Sequence, residues 1–62
     1  MKFTIENVNE KTTRTIETPL TFKAWISIHY GAWGFYGITQ VDKKTYYITD
    51  KFTGEIIDII HR

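Results

Sequence analysis

Apolar and polar residues alternate from Lys2 to Val8, with Phe3 and Ile5 on one side and Lys2, Thr4 and Glu6 on the other. A period of two is the signature of a half-buried strand. Polar Asn9-Glu10-Lys11 follows. Thr12-Thr13-Arg14-Thr15-Ile16-Glu17 is then rich in β-branched residues and is predicted to return antiparallel as a hairpin. Only Ile16 is a clear inward residue, so this second strand is expected at a sheet edge with its threonines facing water.

The period changes after Glu17. Thr18 ahead of Pro19 is one possible N-cap, and Thr21, with Leu20 before it and Trp25 placed to close a hydrophobic staple, is another. At about 100° per residue, Phe22, Trp25, Ile26, His29 and Trp33 share one arc, Ile28 and Ala32 extend it, and Lys23, Ser27 and Tyr30 lie opposite. The spacing predicts one helix with that stripe packed on the sheet. Gly31 is the expected left-handed residue after its end, near Tyr30, which puts Trp33 in the following loop.

Strand patterns return over 35–41, 45–49 and 55–60, separated by the similar polar turns Asp42-Lys43-Lys44-Thr45 and Asp50-Lys51-Phe52-Thr53, with Gly54 expected at positive φ. This is a meander. Ile56-Ile57-Asp58-Ile59-Ile60 is apolar on both faces for most of its length, which suits an interior strand or a face covered by a partner. The fold expected is therefore α+β, in the order β-β-α-β-β-β: an antiparallel sheet of about five strands with one helix on one face. Residues 1–62 have room for a single domain.

Composition narrows the chemistry. The absence of cysteine removes disulfides, thiolate nucleophiles and sulfur ligands, and fits a reducing, cytoplasmic setting. Polar residues are interleaved from Met1 onward, so the N-terminal stretch has no signal-peptide or membrane-span pattern. A net charge of +1 gives no broad field for phosphate backbones. Isoleucine, threonine and lysine are abundant and alanine occurs only at Ala24 and Ala32, a bias that points to an AT-rich genome, that of a low-GC bacterium or its phage.

No catalytic, cofactor or metal set is expected. His29 has Trp25, Ile26, Ala32 and Trp33 at its helical neighbour positions, with no serine or carboxylate among them, so it is read as a partly buried structural histidine. His61 sits next to the C-terminus, where fraying is expected. Two histidines without cysteine fall short of a zinc site. Asp58, flanked by isoleucines, is expected to share a face with Ile56 and Ile60 and to pair with a lysine across the sheet. Gly31, Gly34 and Gly37 follow a helix and enter a strand, the reverse of a phosphate loop, so Trp33, Phe35 and Tyr36 are expected to plug the end of the core, the alternative being that they protrude as a binding surface.

One helix covers one sheet face. The uncovered face is expected to bind another protein, with Tyr36, Lys43, Lys44 and whichever of Tyr46 and Tyr47 points outward as contacts. Adjacent Tyr46 and Tyr47 must point to opposite sides, and tyrosines flanked by lysine resemble interface hot spots. The reading is a small non-enzymatic protein-binding module of the kind a phage or mobile element uses to inhibit or redirect a host protein. A homodimer would cover the same face. The alternative is a single-stranded nucleic-acid binder that stacks bases on the tyrosines and holds phosphates with the lysines.

Overall fold

The computed structural model describes residues 1–31 and 34–62. Strands β1 (Lys2–Asn7) and β2 (Thr12–Glu17) form the first hairpin, and β3 (Tyr36–Asp42), β4 (Thr45–Asp50) and β5 (Ile56–His61) form the meander. All five join in one antiparallel sheet of order β2-β1-β5-β4-β3. The threonine-rich β2 lies at an edge and the apolar β5 at the centre, as their patterns require.

Between the hairpin and the meander, α1 (Phe22–Ile26) runs directly into a π-helical turn, Ser27–Gly31. Thr21 is the N-cap, its hydroxyl accepting from the Ala24 amide at 3.2 Å, while Thr18 forms a separate turn with the Leu20 amide. The π turn corrects the helical phase. Its i→i+5 winding turns the chain through a smaller angle per residue than an α-helix does, so Tyr30 swings to the sheet side. Tyr30 is buried at 6% exposure, whereas His29 and Ile28 are exposed. His29 stacks its ring on Trp25, 3.9 Å between centroids, and is therefore a surface histidine rather than a partly buried one. Gly31 belongs to the π turn, and the left-handed glycine is Gly34, at φ 67°. Ala32 and Trp33, assigned above to the stripe and to the plug, lie outside the described residues.

Phe3, Ile5, Phe22, Trp25, Ile26, Tyr30, Ile48 and Ile60 make the core. Phe3 meets Phe22 and Trp25 edge-on at 5.2 and 5.0 Å, an arrangement that suits the ring quadrupoles. A bulge in β5 sets which of its residues face this core. Ile48 pairs with Asp58 but Thr49 pairs with Ile56, leaving Ile57 as the extra residue. Asp58 thus shares the helix face with Ile60, while Ile56 falls on the opposite face beside Thr49. Instead of a lysine, Asp58 binds Tyr30 and Asn7: the Tyr30 hydroxyl donates to Oδ2 at 2.8 Å and the Asn7 amide to Oδ1 at 3.3 Å. His61, expected in a frayed end, closes β5: it pairs with Thr4 and Thr45, and the Arg62 amide donates to the Lys44 carbonyl. No helix among the described residues is long and apolar enough to cross a membrane.

Candidate functional site

Tyr46 and Tyr47 point to opposite faces as expected, but Tyr36 joins Tyr46 on the helix face and leaves Tyr47 as the uncovered ring of the three. Cross-strand partners share a face, so Tyr36, Ile38 and Gln40 of β3 lie with Asp50, Ile48 and Tyr46 of β4 on the helix face. Tyr46 packs its ring 4.7 Å from Phe22 and Tyr36 meets Tyr30 edge-on at 5.6 Å. Tyr47 alone of the three points the other way, beside Ile59 and Thr39. Lys43 and Lys44 occupy the β3–β4 turn, where Asp42 accepts from the Lys44 amide at 2.9 Å. That hydrogen bond holds the Asp42 carboxyl below the usual carboxylate range. The turn lysines therefore stand beside a fixed negative charge. Phe35 is likewise not a core plug: it is 52% exposed and leans toward Phe52, which is 79% exposed at the β4–β5 turn.

A different feature stands out on the helix side. Ile38 and Ile48 are directly paired, yet Ile48 is fully buried and Ile38 is 44% exposed, so helical cover ends between β4 and β3. A groove of about 600 Å³ fills the uncovered strip. Ile38 and Tyr46 floor it, Phe22 and Ile26 form the helix wall, and Lys23 and Arg62 stand at its rim. Its volume falls in the range of ordinary ligand clefts, roughly 300–1,000 Å³.

Beside the groove runs the free edge of β3. Among the described residues no strand pairs with its outer side. The Phe35 carbonyl accepts from the Lys51 amide at 3.0 Å, which fixes the phase of the ladder. Residues of an antiparallel strand alternate between those bonded to the partner and those whose peptide groups face away. Gly37 and Thr39 thus face β4, whereas Tyr36, Ile38 and Gln40 turn their N–H and C=O groups to the open edge. β3 contains neither lysine nor proline, the usual guards of such an edge, and only a bulge at Val41 interrupts its far end. Gly37 lets Thr49 close in on the other face: a Cβ there would lie 2.7 Å from Thr49 Oγ1, which donates to the Gly37 carbonyl at 3.3 Å.

A second, smaller cleft of about 230 Å³ is polar, lined by Asn7, Glu10, Arg14 and Asp58. Its groups serve one another. Asn7 donates to Asp58 and accepts from the Glu10 amide at 2.8 Å, and no buried side-chain nitrogen or oxygen among the described residues lacks a partner. The cleft is read as a structural network that anchors Tyr30. His61 stands 3.8 Å from Glu6 on the exposed opposite face, and among the described residues no three histidine or carboxylate side chains gather into a metal-binding group.

Sequence reasoning missed the groove because alternation reveals which face of a strand is apolar and not where across the sheet a helix lies. The exposed apolar run Phe35, Ile38 and Val41 beside an edge strand was the available signal. The chain matches no protein-family model, and no curated protein or solved structure shows significant similarity to it.

Proposed function

We propose that this chain is a small non-enzymatic protein-binding module that adds an extended segment of its partner to the free edge of β3. The observation that carries the reading is the juxtaposition of outward peptide groups at Tyr36, Ile38 and Gln40 with the open apolar groove beside them. In strand addition, main-chain hydrogen bonds supply affinity and a pocket for alternate side chains supplies selectivity. Ile38 belongs to both, with its peptide groups toward the open edge and its side chain lining the groove. Tyr46 takes part from the groove and Tyr36 through its outward peptide groups, Lys43 and Lys44 flank the end of β3, and Tyr47 lies away from the contact. The AT-rich bias of the composition fits a low-GC bacterium or its phage, and with a phage or mobile-element source the partner is a host protein.

Single-stranded nucleic acid has less support. A stacking platform needs neighbouring rings on one open surface. Tyr36 and Tyr46 are already engaged by Tyr30 and Phe22, which leaves Tyr47 by itself.

The test is capture of partner from a bacterial lysate by the wild type and three variants. Gln40→Pro removes an outward N–H without touching the β3–β4 ladder, a position where an edge strand tolerates proline. Ile38→Glu puts a negative charge in the groove, and Tyr47→Ala alters the opposite face. The first two are expected to lose a partner that the third retains. Loss with Tyr47→Ala and retention with the other two would put the contact on the opposite face.

A further inference from the structure

The rim of the groove indicates what kind of segment fits it. Among the described residues, both charged side chains that line it, Lys23 and Arg62, are cations, and no aspartate or glutamate side chain does. Arg62 is also held in position. Its backbone amide donates to the Lys44 carbonyl at 2.8 Å, its Nη1 to the Tyr46 hydroxyl at 3.4 Å, and its guanidinium lies 4.6 Å from the centre of the Phe22 ring. Stacking on the ring face and one hydrogen bond use only part of a guanidinium, whose five N–H donors remain charged at any ordinary pH. Among the described residues no ion pair involves Arg62. A guanidinium at the mouth of an apolar groove, with donors to spare, matches a carboxylate next to a hydrophobic group.

Resting on the reading of β3 as the docking edge, we infer that the bound strand is acidic and apolar: a large apolar side chain enters the groove over Ile38 and Tyr46, and a neighbouring aspartate or glutamate reaches Arg62 and Lys23. Side chains on one face of an added strand recur every second residue, so an apolar residue and an acidic one can alternate with outward residues and share the groove side. Charge of this kind selects among partners and raises their association rate as well as adding affinity.

Three short alternating peptides test this, each with leucine on the groove face and with glutamate, glutamine or lysine at the next position on that face. The glutamate peptide is expected to bind about tenfold more tightly than the glutamine peptide, the lysine peptide still more weakly, and the preference to shrink as salt rises. Arg62→Gln should bring the glutamate peptide down to the glutamine peptide's affinity and leave the latter unchanged, with circular dichroism confirming the fold. Equal affinities for glutamate and glutamine, or an indifferent Arg62→Gln, would overturn the charge assignment while leaving edge binding in place. Gln40→Pro separates the two claims, because it should abolish binding of every peptide. If charge preference survives that variant, or if decanoate competes for the groove and binds Gln40→Pro equally well, the occupant is an anionic amphiphile and not a strand. No binding by any peptide at millimolar concentration would overturn both.

Discussion

Ile38 and Ile48 stand opposite each other on adjacent strands, facing the same way, and only Ile48 is sealed from water. This pair separates the core from the proposed docking groove. Ile48→Ala should cost about 2–5 kcal/mol, the usual range for emptying a buried isoleucine site. Ile38→Ala should cost less than about 1 kcal/mol, since much of that side chain is already exposed. Partner binding should show the reverse order. Chemical denaturation of both variants, alongside binding by whichever remains folded, would measure the contrast.

Tyr30 ties the π turn to the central strand through Asp58, and Tyr30→Phe removes that bond while keeping the ring. The loss should be about 1.5–3 kcal/mol, the range for a hydrogen bond to a charged acceptor. Burial, followed by the Asp58 hydrogen bond and charge, raises the Tyr30 phenol well above its ordinary value. Because the folded pKa is raised, the stabilising contribution is fully present below the unfolded value, about 10, and is lost as pH rises beyond it. Wild-type stability should therefore fall in strong alkali, and Tyr30→Phe should flatten that part of the profile. Thermal melts from neutral to alkaline pH would show it.

Gly37→Ala should destabilise by about 1 kcal/mol, because the added methyl forces Thr49 to rotate and give up its bond to the Gly37 carbonyl. The obstacle is the end of one side chain rather than backbone. Placing Gly37→Ala in a Thr49→Ala background should recover most of the cost, which a double-mutant cycle by denaturation would report.

The strands were legible because burial on one face imprints a period of two, and β2 was found at Thr12–Glu17 from its β-branched run alone. Thr21, Gly54 and the edge and centre positions of β2 and β5 followed from local chemistry of the same kind. The departures come from extra residues. One extra residue per turn in Ser27–Gly31 brought Tyr30 inward and left His29 outside, and one in β5 put Ile56 and Asp58 on opposite faces. A fixed angular period cannot register either insertion. What holds the rephased Tyr30 in place is a tertiary bond to Asp58, twenty-eight residues away in the chain. The groove lay beyond the sequence for the same reason: its position depends on how far the helix reaches across the sheet, and only the contrast between Ile38 and Ile48 exposes that limit.

Amide hydrogen exchange along β3 measures the proposed contact most directly. In the free protein Gly37 and Thr39 should exchange slowly through their bonds to β4, while Tyr36, Ile38 and Gln40 exchange quickly from the open edge. Saturation with the glutamate peptide should slow Tyr36, Ile38 and Gln40 together and leave Tyr47 and Ile59 unchanged. Binding that leaves those three amides fast, or that slows exchange around Tyr47 and Ile59 instead, would contradict strand addition at β3.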